Sequence, residues 1–237
     1  MAMRAAVQDN VPVAIYSLEM SMDQLMMRML CAWGKVDLGH LRRGYLDSEE
    51  WSRLYHAADV LGQAPIYIDD TPALSPLELR ARTRRLKAES GVGLVMVDYL
   101  QLMRSHSKQA ANSREREVAE ISAGLKALAK ELKVPVIVLA QLNRGPESRT
   151  GASLGVPRLS DLRESGSIEQ DADMIGLLYR SAYYAEDEEK RQQMAGRANL
   201  HLAKNRNGPT GDVPLHFEAE LMRFSTREAD EHDQENE

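Results

Sequence analysis

The chain has 237 residues, enough for one sizeable α/β core, and a single domain is the expectation for residues 1–225. Hydrophobic residues at 43% and charged residues at 28% exclude a low-apolar disordered polymer, and the lone cysteine, Cys31, excludes an intrachain disulfide framework. A net charge of -6 does not exclude a nucleic-acid partner, because residues 226–237 carry six acids and one base. Without them 29 basic residues stand against 30 acidic ones, so any such binding must rest on a local basic surface. No apolar run approaches the ~20 residues of a membrane helix, and the N-terminal run is too short for a signal peptide. A cytoplasmic protein is expected.

Strand-like runs then alternate with amphipathic helices, the pattern of a largely parallel sheet covered on both faces. Residues 11–17 read as a buried strand. Ser21 and Gln24 form a capping pair for a helix through Trp33, with Met22, Met26, Met27 and Met29 as core filling and Cys31 as a buried thiol. Asp47 and Glu50 cap a helix over 47–62 whose apolar face is Trp51, Leu54, Tyr55, Ala58 and Leu61. After a strand at 65–69, Ser75, Pro76 and Glu78 start a helix through Glu89. Its Arg80, Arg84 and Lys87 share one face, read as solvated or as a DNA tract. Residues 94–97 form an apolar strand ending on Asp98. A long helix over 113–133, capped by Asn112 and Glu115, turns Val118, Ile121, Leu125, Leu128 and Leu132 inward. Buried strands follow at 134–140 and 172–179. A hairpin is expected from 198–204 and 212–217 around Asn207, Gly208, Pro209, Thr210 and Gly211, and the acidic tail 226–237 is expected to be disordered.

Three of these strands deliver polar residues that suit one kind of chemistry. An apolar strand ending in Asp98 has the form of a Walker B strand, whose carboxylate must emerge beside a nucleotide's Mg²⁺, although a plain turn aspartate has the same form. Glu19 lies just past the first strand. Two carboxylates at one sheet edge repel unless a metal or water separates them, so one would hold Mg²⁺ and the other orient an attacking water. Gln141 follows a third strand and brings an amide to the same edge.

Five segments in order carry a resemblance. They are Ser17-Leu18-Glu19-Met20, Val97-Asp98-Tyr99-Leu100-Gln101-Leu102, Gln141-Leu142-Asn143-Arg144, the run 160–173 from Ser160-Asp161-Leu162-Arg163-Glu164-Ser165-Gly166 to Asp173, and Lys204-Asn205-Arg206-Asn207-Gly208. They resemble the successive motifs of the bacterial DnaB replicative helicases, whose motor has a RecA-like fold. The resemblance implies that Glu19 polarises the attacking water, Asp98 holds Mg²⁺, and Gln141 senses the γ-phosphate of ATP. Lys204 and Arg206 match a finger pair that reaches the nucleotide of a neighbouring subunit, which requires a hexameric ring. Arg163, Glu164 and Gly166 match the channel loop that tracks single-stranded DNA by its phosphates. Arg114 and Arg116 are open to two readings, a second DNA-facing loop or a helix surface.

One part is missing from these residues. No G-x-x-x-x-G-K-[ST] run is present; the nearest spacing, Gly39 to Gly44, is followed by Tyr45. In the family the P-loop precedes the Glu19 strand by one helix, so the chain is expected to start within the motor fold, with the P-loop strand absent, neighbouring sheet backbone unpaired and ATP binding weak. Primase and loader contacts are expected outside these residues. Two alternatives stand beside a helicase motor: a non-catalytic subunit that joins or poisons intact rings, and another RecA-like ATPase.

Overall fold

The computed structural model describes residues 1–105, 107, 113–143, 145–149, 154–184 and 187–227; the side chains of residues 148, 163–165 and 190 lie outside the description. The expected cap Asn112, Arg144 of the third motif, and residues 228–237 of the tail fall outside it as well. The chain forms two compact units: one comprises Met1–Gln141 with Glu164–Asp171, and the other Leu142–Arg163 with Ala172–Glu237.

The first unit is an α/β layer structure. Its elements are α1 (Ala2–Gln8), β1 (Val13–Ser17), α2 (Met22–Gly34), α3 (Leu38–Arg43), α4 (Ser48–Gln63), β2 (Ile66–Asp69), α5 (Pro76–Ser90), β3 (Leu94–Asp98), α6 (Arg114–Leu132), β4 (Val136–Val138) and α7 (Gly166–Asp171). The four strands are parallel in the order β2-β1-β3-β4, with Ser17 in register with Asp98. All five residues of β1 are buried because helices cover both sheet faces. Alternation along β1 splits the core in two. Ala14 and Tyr16 join Leu79, Val95, Val97, Val118, Ile121, Leu125 and Leu128 on one face. Val13 and Ile15 join Ala6 and Leu94 on the other.

Local signals set several helix starts. Asp47 with Glu50, and Ser75 with Glu78, each form a reciprocal capping box, and Pro76 opens α5. At α2 the Ser21 hydroxyl accepts from the Gln24 N–H, while the Met22 N–H donates to Asp70 (2.8 Å). Gly39 lies inside α3 and Gly44 is its left-handed C-cap (φ 72°), so that spacing is a helix end rather than a phosphate loop.

Several expected faces turn out differently. α4 buries Glu50, Ala57 and Leu61, whereas Trp51 and Tyr55 are 43% and 70% exposed and stack on each other at 5.7 Å. The cause is close helix approach: a β-carbon on Gly34 of α2 would meet Ala57 Cβ at 3.3 Å and the Arg53 carbonyl at 3.1 Å, so small residues rather than large aromatics form the seam. Of the methionines named as core filling, Met29 is buried, but Met22 and Met27 are exposed; Cys31 is buried as expected. The basic face of α5 is neither bare nor continuous. Arg80 and Arg84 both pair with Glu131 of α6, and Lys87 Nζ donates to the Val92 carbonyl (3.0 Å). β4 is shorter than the expected 134–140 and only half-buried, because it pairs with β3 alone at the end of the sheet.

The second unit carries β5 (Met174–Tyr179), α8 (Glu188–Gln193), β6 (Arg197–Asn205), β7 (Gly211–Glu218) and β8 (Arg223–Thr226). These strands form an antiparallel sheet in chain order, with the expected hairpin between β6 and β7. β8, which no alternation announced, pairs with β7 and sets Phe224 against Phe217 at 4.6 Å. Among the described residues no helix is long and apolar enough to cross a membrane.

These burial differences predict opposite responses on two helices. Ile121→Ala, at a fully buried site, should lower stability by about 2–5 kcal/mol in urea unfolding. Tyr55→Ala should lower it by less than about 1 kcal/mol, despite the larger side chain removed.

Candidate active site

Parallel pairing of β1 with β3 places the C-terminal ends of both strands on one rim of the sheet. The ladder continues one residue beyond β1, where the Leu18 N–H donates to the Asp98 carbonyl at 2.7 Å, and the Leu18 side chain stays buried. The buried Ser17 hydroxyl then donates to the Met20 carbonyl at 2.7 Å, closing a tight turn that leaves Glu19 exposed at its apex. Asp98, the last residue of β3, is half-buried. Burial, followed by the nearby Glu19 carboxylate, pushes the Asp98 carboxyl above the usual carboxylate range, while the Arg28 guanidinium of α2 pulls it back. Glu19 and Asp98 are therefore close enough to feel each other's charge.

Gln141 leaves the same rim from the next strand. The Leu139 N–H donates to Val97 O, and Leu100 N–H donates back to Leu139 O, so the β3–β4 ladder runs past the end of β4. Gln141 itself is exposed, and its backbone is held on both sides by the side chain of Gln101. The sheet thus brings Glu19, Asp98 and Gln141 to one edge in strand order, as the sequence reading expects.

A half-buried carboxylate such as Asp98, with a second acid beside it, suits a divalent cation. Among the described residues no group of three or more His, Cys, Asp or Glu side chains forms an all-protein metal cage. Asp98 is the residue that could hold Mg²⁺ through one carboxylate, with water and phosphate oxygens completing the shell.

Other candidates lie in the second unit or at its border. Lys204 is on β6, in register with Ile175 of β5. Arg206 follows that strand and is exposed; its N–H donates to the Asp173 carbonyl (2.9 Å), and its guanidinium meets the Asp173 carboxylate at 3.3 Å. Arg163 and Glu164 lie in a 3-10 segment, Leu159–Ser165, with their side chains outside the described set. Gly166 opens α7 at an exposed position, and a β-carbon there would meet nothing within 4 Å. Among the described residues, no packing contact requires glycine at that point.

Residues to which the sequence reading assigned no role organise these segments. Asp161 is buried and accepts from the Arg149 guanidinium (2.6 Å) and the Arg158 N–H (2.7 Å), while its carbonyl accepts from Asn143 N–H. Glu117, buried on α6, accepts from Ser105 N–H and pairs with Arg114, which ties Arg114 into the unit. Arg28 was silent in sequence, and Gln101, though inside the second motif, was given no role. Their partners lie 70 and 40 positions away, and no local pattern announces them.

The family model described as the DnaB-like helicase C terminal domain matches residues 1–226. The replicative DNA helicase DnaB of Geobacillus stearothermophilus is 49% identical over 223 residues, covering 94% of this chain and 47% of that protein. The replicative DNA helicase DnaC of Bacillus subtilis (strain 168) is 47% identical with the same coverage. The chain thus spans about half the length of the curated relatives it matches. Among solved structures, an ATPase domain superposes with a TM-score of 0.85 at 35% identity, covering 96% of this chain and 79% of that one. A DnaB-like replicative helicase, solved in a study of its interactions with primase, gives 0.85 at 34% identity, covering 96% and 54%. With its motifs in order and its fold shared along nearly the whole length, the chain belongs to the family of DnaB-like helicase C-terminal domains and has their RecA-like α/β architecture.

Proposed function

We propose that the chain is the motor portion of a cytoplasmic replicative DNA helicase, in which ATP hydrolysis by a hexameric ring drives 5′ to 3′ unwinding. The single observation that carries this reading is the meeting of Glu19 and Asp98 at the ends of two adjacent parallel strands, with Gln141 on the third. The family's names and the solved relatives' similarity support it.

In this reading each side chain has one task. Glu19, exposed at the apex of its turn, orients the attacking water and accepts its proton. Asp98, held at the strand end, supplies the carboxylate for Mg²⁺. That ion, when bound, neutralises charge developing on the phosphoryl oxygens. Gln141 donates its side-chain amide to the γ-phosphate. Lys204 and Arg206 serve the nucleotide of a neighbouring subunit, where Arg206 exchanges its Asp173 partner for phosphate oxygens. Arg163, Glu164 and Gly166 line the channel for single-stranded DNA. The empty space around Gly166 suits close approach of a nucleic-acid backbone. A primase, the subject of one solved relative's interactions, is a proposed partner of the assembled helicase.

The 237 residues contain no Gly-x-x-x-x-Gly-Lys run, so purified by themselves they should release no phosphate from ATP above background. Sustained turnover by this polypeptide would refute that.

The ring reading has a sharper test. Residues 1–226 can be fused to the preceding half of the Geobacillus stearothermophilus relative, which the resemblance expects to carry the P-loop. Glu19→Gln and Arg206→Ala should each lower kcat for ATP by about 10³-fold or more. An equal mixture of the two variants should regain about a quarter of wild-type turnover, because shuffled rings rebuild interfaces with both residues intact. No recovery on mixing would mean that Arg206 acts within its own subunit or not at all.

Asp98→Asn should separate stability from function. The Asp98 carboxyl is raised in the fold, so the protonated form is favoured there, and stability is lost as pH rises from the ordinary carboxylate value through the raised one. The amide variant should therefore melt at a higher temperature than wild type at pH 7, with the gain shrinking as pH falls toward 4, and should lose Mg²⁺-dependent turnover in the fusion. A lower melting temperature at pH 7 would contradict the electrostatic account.

A further inference from the structure

The Gln101 side chain does something a strand residue normally does. Its Nε2 donates to the Gln141 carbonyl at 3.0 Å, and its Oε1 accepts from the Gln141 N–H at 3.1 Å. An amide that satisfies both backbone groups of one residue mimics a neighbouring strand at that single position. The mimicry falls where the regular ladder stops: β4 ends at Val138, and the last main-chain bonds to the β3 side involve Leu139. Gln141 is exposed, and among the described residues the Gln101 side chain holds both of its backbone groups.

Gln101 is itself braced. Its carbonyl accepts from Arg114 Nη2 at 2.6 Å, and Arg114 pairs with the buried Glu117. Glu117 also accepts from the Ser105 N–H at 3.0 Å. The 3-10 turn Leu100–Leu102 that presents Gln101 is anchored by the fully buried Leu100 and by the Leu100 N–H bond to Leu139. The clamp therefore stands on a rigid base on α6 and β3, and fixes the exit direction of the chain at Gln141.

We propose that Gln101 is a positioning residue for ATP hydrolysis: by clamping both backbone groups of Gln141, it sets where the Gln141 side-chain amide points. The inference rests on the reading of Gln141 as the γ-phosphate sensor. A displacement of a catalytic group by about 1 Å can lower the rate by about 10²-fold without changing which groups are present. Gln101 touches no reacting atom, so its loss acts on kcat rather than on nucleotide affinity.

Gln101→Met keeps length and shape but removes both hydrogen-bonding atoms, which protects the fold from gross change. In the 237-residue chain, amide exchange read by NMR should quicken at the Gln141 N–H by about fivefold, since a single hydrogen bond contributes roughly 1 kcal/mol. The amides of Val136 and Val97 should be unaffected. In the fusion that supplies the P-loop, the same variant should lower kcat about 10- to 100-fold with KM for ATP within about twofold. Unchanged exchange at Gln141 overturns the clamp. Faster exchange with wild-type kcat, in a fusion where Gln141→Ala is impaired, overturns the positioning role alone. Wild-type turnover in Gln141→Ala overturns the sensor reading and the catalytic half of this inference with it, while the exchange result still decides the clamp.

Discussion

The register between β1 and β3 is the constraint on which the site depends. Parallel strands end on the same side of a sheet, and with Ser17 opposite Asp98 the residues that follow β1 must leave beside the last residue of β3. Side chains alternate between faces, so a shift of one residue would send Ala14 and Tyr16 out of one core and Val13 and Ile15 out of the other. The hydrophobic packing of both layers therefore locks the relative height of Glu19 and Asp98. The electrostatic strain between them is held by apolar burial several residues away.

That division of labour explains what the sequence could announce. Strand ends and helix caps are local, and Asp47 with Glu50, Ser75 with Pro76 and Glu78, and the apolar run into Asp98 all carry their signals within a few residues. The placement of Glu19, Asp98 and Gln141 on one rim followed from the strand pattern together with the ordered motifs. What sequence did not reveal were partners chosen by tertiary packing. On α4 the largest apolar side chains predicted the buried face wrongly, because a close helix pair selects small residues such as Gly34 and Ala57 and leaves Trp51 and Tyr55 outside. The basic stripe of α5 was similarly ambiguous until Glu131, 47 positions beyond Arg84, supplied its partner.

The polar hubs follow the same rule at higher stakes. Glu117 and Asp161 are each nearly inaccessible, and a buried carboxylate is tolerated only where donors surround it. Glu117 gathers Arg114, Arg104 and the Ser105 amide, while Asp161 gathers Arg149 and the Arg158 amide. Each hub fixes an irregular segment that no ladder supports. Arg114, which in sequence was open to a DNA-facing reading, is thereby paired within the unit, while Arg116 beside it stays exposed.

In the proposed mechanism regular structure and catalysis make opposite demands on the rim. A ladder carried further would fix Gln141 but would also satisfy its neighbours and leave no exposed edge for a nucleotide. A ladder that simply stopped would expose the edge but leave the backbone of the proposed sensor loose. A side-chain amide from Gln101 meets both demands, because it pairs with one residue and then ends. The sheet edge remains open while the one residue that must not wander is held, and the support comes from a helix whose own position is set by Ile121, Leu125 and Leu128 in the core.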